Sequence, residues 1–138
     1  MTLAISISRI ADSIYAQSAL DAAAHGIDTP AALTRAHSDA IENLIVKLTA
    51  ETITSLGASV RSTNIGTLGP GDDIITIEYD VAHHDATVAC LRTNIETAIA
   101  YGVLARAIAG TALPLAQWYS TLAHTAALPV DRRIKRSA

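Results

Sequence analysis

The sequence predicts a mainly helical α+β fold, in which a bundle of about four helices carries a small β-ribbon or strand excursion between helices two and three. Three observations predict it. Long segments repeat apolar residues at helical spacing, and one central segment, DDIITIEYDV at residues 72–81, alternates apolar with polar residues. Half of the 138 residues are hydrophobic, and 17% are charged. A chain of this length is expected to form one domain, 1–138, with a real core.

The first elements are predicted to be a short strand or extended arm followed by a helix. Residues 3–8, LAISIS, alternate apolar and small polar side chains. Ser8 is a suitable N-cap for a helix over about residues 9–25, and Gly26 is a suitable stop. The large apolar residues of this helix are Ile10, Ile14 and Leu20.

The second helix is predicted from Pro30 to Leu56. Thr29 followed by Pro30 is a typical helix start, and Gly57 is a typical end. The helix carries one broad apolar stripe. Its members are Leu33, His37, Ile41, Leu44, Ile45, Leu48 and Thr52.

A glycine-rich connector and a strand are expected next. Residues 58–73 are predicted to form a flexible loop, of which 60–65 can be extended. The alternation in 72–81 then predicts a strand with one buried and one wet face. Whether it pairs with residues 3–8 of its own chain or of another copy is left open. Its apolar side carries Ile75, Ile77, Tyr79 and Val81.

Two further helices complete the chain. Asp85 is a plausible N-cap for a long helix that ends at Gly110, and Leu113 with Pro114 begins a helix that is expected to fade near Leu128. A solvated basic tail, 131–138, follows. The expected core residues of the long helix are Val88, Leu91, Ile95, Ile99, Leu104 and Ile108.

The charge of the tail is opposite to that of the body. The tail holds four of the ten basic residues and one of the thirteen acidic residues, although the net charge of the chain is −3. An acidic body disfavours general binding to nucleic acid. A contact between the tail and the acidic body of another subunit is the simpler functional interpretation. The predicted tail contacts are Arg132, Arg133, Lys135 and Arg136.

The sequence favours a protein that is not an enzyme and needs no cofactor or metal. It contains no H-E-x-x-H, no G-x-S-x-G and no Walker lysine. Asp72 and Asp73 are interpreted as caps of a turn. Cys90, the single cysteine, is expected to be a small core residue and excludes an internal disulfide. The enzyme alternative is a metal site that includes His83, His84 and Asp85 and takes a further ligand from elsewhere.

No membrane segment is expected. Arg92, Glu96 and Arg106 interrupt the apolar runs well short of the roughly 20 residues that span a bilayer. The N-terminus lacks the basic region of a signal peptide and reaches Arg9 and Asp12 early. These features favour a cytoplasmic origin.

The apolar composition and the strand candidates together predict self-association. A small domain with mean hydropathy +0.31 often buries one face against another subunit, and unpaired strand edges recruit strands. The apolar side of the central strand, from Ile75 to Val81, is the predicted self-association face.

The layout also resembles a group of small structural proteins encoded in phage and prophage-like gene clusters of Bacteroidetes. The resemblance rests on Ile5 to Tyr15, with its S-R-I-A-D-S-I-Y helix, on the D-D-x-I-x-I-E-Y-D strand at 72–80, and on the basic end. The overall plan is similar to that of head–tail connector adaptors in tailed phages. The high alanine content and the absence of phenylalanine depart from the group.

The resemblance implies a self-assembling virion or connector component that forms a ring or other homo-oligomer. Its partners would be further copies and neighbouring virion proteins, and its location the virion, or the host cytoplasm before assembly. The resemblance assigns no functional residue. The alternative is a small helical binding or regulatory module that uses the basic tail to contact nucleic acid or an acidic partner.

Overall fold

The fold is mainly α with a small antiparallel sheet, as predicted. The computed structural model describes residues 2–24, 38–56, 60–69, 72–79, 85–108 and 113–137. In chain order the elements are β1 (Thr2–Ser6), α1 (Ile7–Ala24), α2 (Ser38–Leu56), β2 (Val60–Thr63), a short 3-10 turn (Ile65–Thr67), β3 (Ile74–Tyr79), α3 (Asp85–Ile108) and α4 (Leu113–Ser137).

The central strand pairs within its own chain. The sheet order is β1-β3-β2, and both pairings are antiparallel. In the β1–β3 register Leu3 lies opposite Ile77 and Ile5 opposite Ile75, so apolar residues face each other across the strands. The question of whether the two strand candidates pair within one chain or between chains is therefore answered: they pair within it.

One face of the sheet forms part of the core. Leu3, Ile5, Ile75 and Ile77 are almost completely buried, and β1 also contacts α3. Each such side chain contributes about 1.5–3 kcal/mol by leaving water. The helical part of the core consists of Ile7, Ile10, Ala11, Ile14, Ile41, Ile45, Leu91, Ile95, Ile99, Ala100, Val103, Leu104, Ile108, Ala116 and Tyr119.

Helix α3 is the central helix, because it packs against α1, α2, α4 and β1. Its contact with α2 is close at Gly102, where an added Cβ would lie 3.3 Å from Leu48 Cδ1. Its contact with α4 is the most extensive and includes Tyr101 and Tyr119, whose rings stack with centroids 5.9 Å apart. Only four residues, 109–112, separate α3 from α4 in the sequence, so the two helices that share this contact are also neighbours along the chain.

Several predicted boundaries need correction. Helix α1 begins at Ile7, two residues earlier than expected, because Ser6 caps it. The expected loop 58–73 contains β2 and the 3-10 turn. Helix α4 does not fade near Leu128 but continues through Ser137, so most of the predicted tail is helical.

The prediction that Cys90 is a core residue is wrong, and one of the large apolar residues of α1 is also exposed. Leu20 is 67% exposed, and Cys90 is also exposed. At 100° per residue, Leu20 lies about 120° from Ile14 around its helix, and Cys90 about 140° from Ile95. Leu20 therefore points away from Ile14, and Cys90 points away from the residues that are buried near the start of α3. Some predictions concern positions outside the described residues. They are the helix stops at Gly26, Gly57 and Gly110, the helix start at Pro30, and the stripe residues Leu33 and His37.

Candidate functional site

Two of the four residues of the predicted self-association face, Ile75 and Ile77, are not at the surface of this fold. Ile75 and Ile77 are 0% and 1% exposed, so they lie in the core of a single chain and do not face a second copy. Tyr79 ends β3 opposite Val60, and Val81 lies outside the described residues. The prediction was wrong for the two isoleucines because an alternating strand shows that one face is buried, and does not show what buries it.

The open sheet edges belong to β1 and β2, and the β1 edge is short. Ile7 donates its N–H to the carbonyl of Asp73, the residue before β3, so in this register Leu3 and Ile5 also direct their N–H groups toward β3. Because N–H directions alternate along a strand, the N–H of Ser6 points away from the sheet. That N–H donates to Glu96 Oε1 at 3.3 Å, so a helix side chain occupies one end of the edge. This arrangement limits strand addition by another chain.

Helix α4 carries an exposed apolar flank. Among the described elements it packs extensively against α3 alone, through buried Ala116 and Tyr119. Trp118 is 55% exposed, and the half-buried Leu115 and Leu122 lie one turn before and after it. These three residues, Leu115, Trp118 and Leu122, form a strip that is called the tryptophan flank below.

The predicted tail contacts lie on the last turns of α4. Helical periodicity places the positions of Arg132, Arg133, Lys135 and Arg136 within an arc of about 160° of the helix circumference. Basic residues are also favourable at the C-terminal end of a helix dipole. The basic segment is thus an extension of the same helix that carries the tryptophan flank.

A groove of about 390 Å³ lies between α1 and α3. Helix α1 contributes three polar side chains to it, and α3 contributes polar residues followed by apolar ones farther along the helix. The stretch of α3 from residue 92 to residue 104 rises by about 18 Å. The lining residues are Arg9, Ser13 and Gln17 of α1, and Arg92, Thr93, Glu96, Thr97, Ala100, Tyr101 and Leu104 of α3.

The polar end of the groove has an uneven charge balance. Glu96 is 12% exposed in its side chain and pairs with Arg9, whose Nε lies 3.0 Å from Glu96 Oε2. The same carboxylate accepts the N–H of Ser6. Arg92 is half-buried, and it forms no ion pair or hydrogen bond with another described residue. One positive charge is therefore left over in the groove.

The start of α1 is held by a carboxylate from the strand side. Asp73 Oδ1 accepts the N–H of Ser8 at 2.7 Å, and Asp73 Oδ2 accepts the hydroxyls of Ser6 at 2.8 Å and Ser8 at 3.1 Å. Ser6 Oγ in turn accepts the N–H of Arg9 at 3.2 Å. Two side chains therefore cap the helix, and one of them comes from a segment 65 residues away.

This environment lowers the pKa of Asp73 below its ordinary value of 3.8. Desolvation by itself would raise the pKa, but the hydrogen bonds from Ser6 and Ser8 and the positive charge of Arg9 outweigh it. Asp72 has a different hydrogen-bond partner, because among the described residues its Oδ2 accepts the N–H of Gly69, at 2.7 Å, and so closes a turn. Asp72 therefore caps a turn, as interpreted, whereas Asp73 caps the start of α1 and not a turn.

The described residues provide no geometric support for the enzyme alternative, the metal site at His83, His84 and Asp85. His83 and His84 lie outside the described residues, and Asp85 begins α3. Within the described ranges no three His, Cys, Asp or Glu side chains group as metal ligands would. Every helix within the same ranges is too short or too polar to cross a bilayer.

The groove residues were missed by sequence reasoning. Arg92 and Glu96 are four residues apart on α3, a spacing that by itself indicates only a pair on a solvated helix face. The proximity of Arg9 to Glu96 is what separates these two residues from an ordinary surface pair. The sequence does not show this proximity, because it depends on which helices pack together. Comparisons with known proteins provide no further guidance, because no family model, curated protein or solved structure matches the chain.

Proposed function

We propose that this chain is a non-enzymatic, self-assembling structural protein, a phage-type virion or head–tail connector component that forms a ring or other homo-oligomer. The observation that carries the proposal is the tryptophan flank on α4. A 55% exposed Trp118 between two half-buried leucines is an apolar strip that a second subunit would cover. Tryptophan is among the residues most enriched where subunits meet.

The charge distribution supports a contact between unlike surfaces. The last eight residues carry four basic groups and one acidic group, whereas the preceding 130 carry six basic and twelve acidic groups. Because the two surfaces differ, the contact is head-to-tail, and such contacts generate rings when the rotation closes. The basic end of α4 would lie against the acidic body of the next copy, with the tryptophan flank beside it.

The test is the molar mass in solution. Size-exclusion chromatography with light scattering, at micromolar chain concentration, is expected to show a defined oligomer. Trp118→Glu is expected to reduce it to monomer because the charge would have to be buried at the interface. The matched control is Ser120→Glu, an exposed position about 160° from Trp118 on the same helix. A wild-type monomer, or equal effects of the two variants, would overturn the proposal.

The basic end offers a second measurement. Replacing Arg132, Arg133, Lys135 and Arg136 with glutamine keeps the side-chain length close to the original and removes the charge. In a head-to-tail oligomer this variant is expected to weaken the association between subunits. About 1 M salt, which screens charges beyond about 3 Å, is expected to weaken it in the same way. Oligomerisation that is insensitive to both changes would exclude the electrostatic part of the contact.

The runner-up function, a binding or regulatory module, is favoured by the basic arc on α4. It predicts that the same glutamine variant loses binding to a fluorescent 30-base-pair duplex or to an acidic peptide, while the chain remains a monomer before and after substitution. Duplex binding would also fall steeply with salt concentration. An oligomer that binds neither probe would remove this alternative.

A further inference from the structure

We propose that the groove between α1 and α3 binds an elongated small organic anion, with its carboxylate or phosphate on Arg92 and its apolar chain along Ala100, Tyr101 and Leu104. This site is separate from the tryptophan flank and does not depend on self-assembly. Its volume, about 390 Å³, is within the range of pockets that hold small molecules.

The sign of the ligand charge follows from the polar end of the groove. The Glu96 carboxylate is neutralised by Arg9 at 3.0 Å and is further engaged by the Ser6 N–H. Arg92 has no such partner among the described residues, although its side chain is half-buried. A guanidinium offers two parallel N–H donors to a carboxylate or phosphate, so an oxyanion is the complementary group.

The shape of the ligand follows from the order of residues along α3. Arg92 and Thr93 line the groove at one end, whereas Ala100, Tyr101 and Leu104 line it farther along the helix. From residue 92 to residue 100 the helix rises by about 12 Å. A ligand that contacts both ends must therefore be long and must have an apolar chain. Tyr101 provides a firm wall for that chain because its ring stacks on buried Tyr119.

The probes are octanoate and octyl phosphate, with 1-octanol and butyrate as controls. Octanoate keeps both the charge and the length. 1-Octanol removes the charge, and butyrate keeps the charge but loses four methylene groups. In calorimetric titration we expect octanoate or octyl phosphate to bind at least about tenfold more tightly than either control, because butyrate buries four fewer methylene groups and 1-octanol lacks the charge that pairs with Arg92. The stronger of the two anions identifies the head group as carboxylate or phosphate.

Three variants test the residue assignment. Arg92→Gln is expected to weaken binding of the stronger anion by about tenfold or more, the value of a charge-assisted hydrogen bond. Arg106→Gln is the matched control, because it lies on the same helix, outside the groove, and pairs with Glu51 at 2.7 Å. Glu96→Gln keeps an acceptor for the Ser6 N–H and removes a negative charge from the groove, so anion affinity should rise severalfold.

Opposite effects of Arg92→Gln and Glu96→Gln, with Arg106→Gln unchanged, support the site. The proposal is overturned if neither octyl anion binds up to 5 mM, or if butyrate binds as tightly as octanoate. It is also overturned if the two arginine variants lose affinity equally. Amide chemical shifts that change along α1 and α3 and not along α4 provide the location independently of affinity.

Discussion

The carboxylate of Asp73 is predicted to stabilise the whole fold because it caps a helix that begins 66 residues earlier in the chain. Asp73→Ala removes the acceptor of the Ser8 N–H at 2.7 Å and of the Ser6 and Ser8 hydroxyls. Loss of an N-cap acceptor costs about 0.5–2 kcal/mol. Ser6 Oγ still accepts the N–H of Arg9 in the variant, so part of the cap remains. We therefore expect a decrease of about 1–1.5 kcal/mol in the free energy of unfolding.

The assay is urea unfolding at pH 7 followed by circular dichroism, with Asp72→Ala as the matched control. Asp72 is the adjacent residue and also a carboxylate, but it is exposed and caps only a local turn through Gly69. Its removal is expected to cost less than about 0.5 kcal/mol, the usual range of a surface substitution. The reasoning is refuted if the Asp72 variant loses as much stability as the Asp73 variant.

The same residue makes a pH-dependent contribution of known sign. Because its pKa is lower in the folded chain than the ordinary 3.8, folding favours the ionised form of Asp73. Its contribution is complete above pH 3.8 and is lost as the pH falls through the lower, folded-state pKa. Asp73→Asn keeps an oxygen acceptor without the charge. The stability difference between wild type and Asp73→Asn should therefore be constant from pH 7 to pH 5 and shrink below pH 4.

Three other predictions concern packing and exposure. Ile77→Ala removes a 1% exposed side chain from the sheet face and should cost about 2–5 kcal/mol in urea unfolding, whereas an interface role would leave monomer stability unchanged. Gly102→Val brings new methyl groups against Leu48 Cδ1, which lies only 3.3 Å from an ideal Cβ at this position. This variant should lower the free energy of unfolding by about 1–3 kcal/mol. Gly66→Val is the control, because an added Cβ there meets nothing within 4 Å. Cys90 is exposed and should react with Ellman's reagent in the native chain at a rate that urea raises less than tenfold; a thiol that reacts only after unfolding would contradict its exposure.

Local patterns were sufficient to predict the helices and the central strand. Ile41 and Ile45 in α2, and Leu91, Ile95 and Ile99 in α3, are buried as their spacing of four predicts. The errors arise where a hydrophobic residue was counted as core without its angle on the helix. Cys90 illustrates this, because it lies about 100° from Leu91 and about 140° from Ile95, the buried residues nearest to it along α3.

The candidate sites could not be predicted because they depend on long-range packing. Arg9 and Glu96 are brought to 3.0 Å only because α1 packs on α3, and Trp118 is exposed only because α4 packs on one side. Nothing in the local sequence distinguishes Trp118 from its neighbour Tyr119, which is 1% exposed. Periodicity identifies the apolar stripes of each helix. Which element packs against which stripe depends on the interactions of the whole chain.

The start of α1 links the sheet, the helices and the proposed anion groove. Ser6 ends β1, donates its hydroxyl to Asp73 and its N–H to Glu96, and accepts the N–H of Arg9. The polar end of the groove therefore takes its geometry from the docking of β1 on β3, and not from α1 and α3 alone. Arg92 takes no part in this network. A change at Asp73 should then affect anion affinity only indirectly, through the Arg9–Glu96 pair, and by less than the loss of Arg92 itself.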